Sequence, residues 1–415
     1  MKKIELIQSS LANTPIATNA WFYCVLLYLV VDYGRPQDLL PIGVLRPGMW
    51  VILALLFFVI KYNGIALAKS DQVRVVWYFI LLLLLYVPFA HNNYLAYNTF
   101  STMLFFMPFI LSVVICVNSM ARLKTFMRLY VGIMVYVSIY GWLHGGVGSG
   151  AYFSDENDLS LYINMVLPFC YFLFFVETKK WVKYLYLTGL IVGILTVVVS
   201  FSRGGFLGLL AIAVVIWLVS PKKMLSLFIV GMLAGAVYLF SGDAYKSEMS
   251  SVTDTKESTA NDRLMSWASA WDMFLDNPLG VGGNNFQVRF PEYQGDRFKK
   301  EMGGRVSHSL WFTLIPELGV LGIIIYYKLL RYNIRDLRKL RTRKSNLSED
   351  EKFLNAMSIA FIASLAGFFV SASFLSVLYY PHYWYLTAII VACIRIYHSL
   401  GPANQFSEKT IEMTR

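Results

Sequence analysis

Twelve long apolar runs decide what this chain can become. They cover approximately residues 17 to 32, 46 to 61, 74 to 90, 99 to 117, 125 to 143, 159 to 176, 183 to 201, 204 to 220, 223 to 241, 308 to 330, 353 to 374 and 380 to 398. Each approaches the roughly 20 residues that a helix needs to cross about 30 Å of hydrocarbon. Lipid offers no partner to a peptide group, so a chain with this pattern folds as an all-α polytopic membrane protein of about 12 transmembrane helices. Composition agrees, since the 415 residues are 57% hydrophobic and only 15% charged, whereas soluble domains carry about 25% charge. The first two runs are short enough for one to be interfacial or re-entrant. The first run begins near Ala20 without a small-residue cleavage site, so no cleavable leader is expected.

A net charge of +11 would suggest a nucleic-acid partner in a soluble protein, but here it records orientation. Lys2 and Lys3, Lys61 to Arg74, Arg122 to Arg128, Lys179 to Lys183, Lys222 and Lys223, and the run Lys328 to Lys352 occupy alternate loops. Basic residues gather in cytoplasmic loops. Both termini are therefore expected in the cytoplasm, and the long segment 242–307 on the opposite, periplasmic side. The predicted organisation is helices 1–9 in residues 1–241, that loop, helices 10–12 in residues 308–398, and a cytoplasmic tail from 399 to 415. Within the loop, SGDAYKSEMSSVTDTKESTANDR reads as a polar linker. Leu264, Trp267, Trp271 and Phe274 then recur at helical spacing, which predicts an amphipathic helix on the membrane face before a glycine-rich break.

Several chemistries are disfavoured. Cys24, Cys116, Cys170 and Cys393 lie far apart in apolar runs, which supports neither disulfides nor a zinc site. GVGGNNF lacks the lysine of a phosphate-binding loop, and DENDLS lacks the remaining ligands of a calcium loop. Asp155 and Asp158 read as caps of the sixth helix. No cofactor or metal is expected.

The candidate site residues are those the membrane would otherwise exclude. Arg203, in SFSRGGF, is either a snorkelling helix-end arginine or, with Ser200, Ser202, Gly204 and Gly205, part of an anion site. In the long loop Arg263 is expected to open the ordered helix, and Arg289, Arg297 and Arg305 follow. His308, three residues after Arg305, is either an interfacial packing residue or a proton carrier near neutral pH. His91, His144, His382 and His398 are read as interfacial residues without chemistry.

The spacing of His308-Ser309, nine residues, Gly319, two residues and Gly322 resembles the signature of the O-antigen ligase family. FSRGG, NDRLMSW, NPLGVGGNNF and HSLWFTLIPELGVLG stand in that family's order over about residues 150 to 330. The resemblance implies a fold similar to C-type membrane glycosyltransferases. It also implies transfer of a glycan from a polyprenyl diphosphate carrier to a glycolipid such as lipid A-core, on the outer face of the bacterial inner membrane and without metal. His308 then maps to the base that deprotonates the acceptor, Arg203 and Arg263 map to the donor diphosphate, and Arg305 and Arg289 are weaker assignments. Direct displacement would invert the anomeric centre. Some relatives carry an acid near the last spans, whereas nothing acidic lies here between Phe353 and Ser407. A polymerase of carrier-linked repeats and transfer to protein hydroxyls remain alternatives, as does a transporter of lipid-linked glycan. One large external loop rather than two favours the ligase.

Overall fold

The computed structural model describes residues 17–40, 42–150, 152–219, 231, 258–298, 303–341 and 346–412. Among these residues the secondary structure is entirely helical, and nine segments are long and apolar enough to cross a membrane. They match nine of the twelve expected runs. Two further runs are shorter helices, and the run 223–241 lies, apart from Gly231, outside the described residues.

In chain order, α1 (Asn19–Leu29) continues through a π turn at Val30–Gly34 to α2 (Pro47–Lys61) and α3 (Asp71–Tyr86). The fourth span is broken into α4 (Asn93–Phe105) and α5 (Met107–Cys116), with Pro108 opening the second piece. Next come α6 (Met120–Leu143), α7 (Glu156–Val176), α8 (Lys180–Val199) and α9 (Arg203–Val219). The extramembrane segment contributes α10 (Ser258–Asp276) and α11 (Phe286–Gln294). Last are α12 (Leu310–Leu340), α13 (Glu349–Ala372) and α14 (Pro381–Glu412). α14 therefore carries helix into residues 399–412 of the tail. The polar stretch read as a linker lies outside the described residues up to 257, and from Ser258 onward it is helix.

Small side chains and buried amides draw the centre together, as membrane helices require where burial of apolar surface gives no net drive. α7 packs most extensively on α13, and α9 also packs on α13. A Cβ on Gly205 would meet Ser160, and one on Gly367 would meet Ile212, so only glycine permits these approaches. Asn164 Nδ2 donates to Gly205 O at 2.7 Å and to Ser371 Oγ at 3.1 Å, which ties α7, α9 and α13 together.

One end of the bundle is fastened by ion pairs. Lys124 meets Asp350 at 2.8 Å, Arg128 meets Glu177 at 2.9 Å, and Arg335 meets Asp71 at 2.7 Å. These are the ends that the basic loops mark. Each exposed pair contributes about 0–1 kcal/mol, and Glu177, at 5% side-chain exposure, is the best shielded. The starts of α7, α9, α12 and α14 lie at the other ends of their helices. There the candidate residues collect.

Candidate active site

The FSRGG motif shapes the start of α9. Phe201 takes φ 52°, a left-handed conformation that costs a bulky residue about 1–2 kcal/mol. Ser202 then caps the helix, its Oγ accepting from Gly205 N–H at 2.9 Å and donating to Asn157 Oδ1 at 2.7 Å. Gly205 N–H is thus committed to the cap rather than to an anion, and the half-buried guanidinium of Arg203 is the cationic element of this turn. Asn157 sits in the first turn of α7 beside its cap, Asp155, whose Oδ1 accepts from Asn157 N–H at 2.8 Å and Nδ2 at 2.9 Å. The expected capping role of Asp155 is therefore present. Asp158 instead accepts from Tyr380 Oη at 3.3 Å.

The turn before α12 is built on the same plan. His308 has φ 48° and stands between Ser307 and Ser309, each 1% exposed. Ser307 Oγ bonds Thr313 Oγ1 at 2.8 Å and Ser309 O at 3.0 Å, and Ser309 Oγ caps Phe312 N–H at 3.4 Å. Two anchored serines and a left-handed residue between them fix where the imidazole goes. The ring, half-buried, has no hydrogen-bond partner among the described residues. Burial pushes its pKa below the ordinary 6.5, the positive charges of Arg263 and Arg305 push the same way, and the Asp155 carboxylate opposes them. The neutral imidazole is thereby favoured, and it is the form that can accept a proton.

Helix α10 covers this turn. Trp267 stacks on Phe312 with centroids 5.1 Å apart and donates from Nε1 to Ser307 O at 2.9 Å. Arg305 Nε donates to Ser266 Oγ at 2.7 Å, and its Nη1 lies 3.5 Å from Asp262 Oδ2. Arg263 lies in the second turn of α10, which begins at Ser258 and not at the arginine itself. The second half of the loop also holds α11, and the two helices share a small apolar cluster of Ala270, Met273, Val281, Phe286 and Phe290.

The fold therefore brings His308, Arg263, Arg305 and Asp155 into one electrostatic neighbourhood, and Asn157 links it to the turn of Arg203. Arg289 is elsewhere. Its guanidinium bonds Glu292 at 2.8 Å and Asn277 Oδ1 at 3.0 Å, beyond the far end of α10. Fourteen residues separate Arg263 from Asn277, roughly 20 Å at 1.5 Å per helical residue. Arg297 likewise pairs with Asp272. His382 is fully buried rather than interfacial, its Nδ1 bonded to Tyr33 Oη at 2.9 Å.

Sequence reasoning missed Asn157, Ser202 as a bridge, and the tyrosines of LSVLYYPHYW. Adjacent Tyr379 and Tyr380 donate to two buried acids, Glu317 and Asp158, on different helices. A pair of tyrosines before a helix-opening proline was the available signal. Among the described residues no group of three or more His, Cys, Asp or Glu side chains could hold a metal ion.

Residues 188–327 match the O-antigen ligase family model. The chain carries that family's domain. The matched stretch contains FSRGG, the α10 motif, the glycine-rich loop and the His308 motif, and it stops short of Asp155 and Asn157 on the N-terminal side. The match supports a membrane glycosyltransferase-type enzyme of the O-antigen ligase and polymerase superfamily. No curated protein matches the chain.

Proposed function

We propose that the chain is an O-antigen ligase: it moves a glycan from a polyprenyl diphosphate carrier to a surface glycolipid such as lipid A-core at the periplasmic face of the bacterial inner membrane. In this reading twelve spans form a fold similar to C-type glycosyltransferases, both termini are cytoplasmic, and residues 242–307 are periplasmic. The reading rests on the placing of His308 on a left-handed turn where burial and the charges of Arg263 and Arg305 lower its pKa, which favours the imidazole form that can take a proton. The leaving carrier diphosphate needs positive charge, which Arg203 and Arg263 supply with the planar fork suited to phosphate oxygens. Arg305, already engaged with Asp262 and Ser266, adds charge while holding α10 in place. His308 takes the proton of the acceptor hydroxyl as its oxygen attacks the anomeric carbon and the sugar–phosphate bond breaks. The electron pair leaves with the diphosphate, and the centre is inverted. No divalent metal is required, because the arginines neutralise the leaving group.

Purified protein mixed with carrier-linked glycan and lipid A-core should yield glycosylated lipid, unchanged by millimolar EDTA. Product made only from two carrier-linked glycans would mean a polymerase instead, and relocation of carrier without a new glycosidic bond would mean a transporter. Cysteines at positions 250 and 340 should label oppositely in intact spheroplasts, 250 reacting and 340 protected. The reverse pattern would remove the site from the periplasm.

A further inference from the structure

Glu317 lies at membrane depth, 2% exposed, with no basic partner among the described residues. A carboxylate so placed is tolerated only when its lone pairs are filled. Asn284 N–H at 2.8 Å and Tyr379 Oη at 2.6 Å meet one oxygen, and Phe286 N–H at 3.2 Å meets the other. Two of these donors belong to the segment that follows α10 through the glycine-rich loop.

That loop is threaded into a break in α12. Val281 N–H donates to Pro316 O at 3.0 Å, Gly282 N–H to Glu317 O at 2.8 Å, and Val320 N–H to Pro278 O at 2.9 Å. Gly319 makes the break, with φ 58° and ψ −158°, and a side chain there would strike the backbone of Pro278 and Leu279. α10 is therefore tied to the chain around α12 near its start through Asp262 and Arg305, at its middle through Trp267 and Ser307, and beyond its end through Glu317. A helix fastened at one end pivots, whereas one fastened at both ends holds each side chain in place.

We infer that Glu317 is a positioning residue, latching the glycine-rich loop into the break of α12 and so fixing Arg263 relative to His308. The inference rests on the donor-site reading above. In Glu317→Gln the side-chain amide would set an N–H₂ group against a backbone N–H, and loss of one such bond is worth about tenfold to a hundredfold in an equilibrium. The test is a double-mutant cycle on purified full-length protein, measuring transfer and donor KM with carrier-linked glycan. Glu317→Gln should raise donor KM by about that factor in protein that still purifies as a folded species. Combined with Arg263→Ala it should add little, because the arginine it positions is gone, whereas combined with Arg203→Ala the losses should multiply. Losses that multiply equally with both arginines would show general weakening and overturn the latch, as would a Glu317→Gln variant with normal KM. Should Glu317→Gln not accumulate, Tyr379→Phe keeps the carboxylate, removes one donor, and is read in the same cycle for a smaller loss. A silent Arg263→Ala would defeat the donor-site reading and this inference with it. An impaired Arg263→Ala beside a normal Glu317→Gln would defeat the latch alone.

Discussion

The floor and the roof of the candidate site are built differently. The floor consists of the starts of α7, α9 and α12, whose packing belongs to the one large core that runs through the bundle. The roof, α10 and α11, has a separate small cluster of five buried apolar residues. Floor residues are therefore placed by dense packing, which tolerates little displacement. Roof residues are placed by a few polar ties, Trp267 to Ser307, Arg305 to Ser266, and Glu317 to the glycine-rich loop. The turn of His308 is thus set by the core of the protein, whereas the helix that carries Arg263 is held by one ring stack and a few hydrogen bonds that can be removed one at a time.

The largest effect should come from the floor. His308→Asn keeps a residue that accepts the left-handed backbone and removes the base, so turnover should fall by about two to four orders of magnitude while carrier lipid still binds. Single-turnover transfer beside a lipid-binding measurement on the same protein checks this, and near-normal turnover would reduce His308 to a packing residue.

Arg203→Ala should follow, with donor binding and transfer both weakened by about 1.5–3 kcal/mol, the value of a hydrogen bond to a charged group. Arg203→Lys keeps the charge without the fork and should recover only part. Full recovery by lysine would mean that charge alone matters at the floor.

The pH profile tests how roof and floor communicate. Because burial and then Arg263 and Arg305 lower the His308 pKa, the acid limb of kcat should fall below 6.5, and activity should persist where a free imidazole is already protonated. Arg305→Gln removes one repelling charge, stabilises the imidazolium, and should move that limb upward. A limb that stays fixed in the variant would detach Arg305 from the histidine.

The smallest effects belong to single roof groups away from the chemistry. Trp267→Phe preserves a ring to stack on Phe312 and loses only the Nε1–H bond to Ser307 O, so efficiency should drop by about 0.5–1.5 kcal/mol. Arg289→Ala breaks a contact to Glu292 at an exposed position and should change thermal stability by less than about 1 kcal/mol, with transfer unaltered. A strong transfer defect there would place donor charge at the far end of α10.

The sequence alone determined the class of fold. Twenty-residue apolar runs and alternating basic loops specify membrane helices and their order, because lipid thickness and unpaired backbone cost act on each run separately. It also singled out Arg203, Arg263, Arg305 and His308, since a charged or titratable group beside lipid is expensive wherever the chain goes. Only the tertiary structure decided which of these meet. Arg289 was a weaker assignment than Arg263 but stood in the same loop, and it lies roughly a helix length from Arg263, whose charge reaches His308. Nor could spacing reveal that Glu317 is answered by Tyr379 and by the backbone of a loop some thirty residues earlier. Helix type follows from neighbours three and four positions apart, but a buried carboxylate is satisfied by whatever the folded chain brings to it, and that set of partners exists only once the helices have packed.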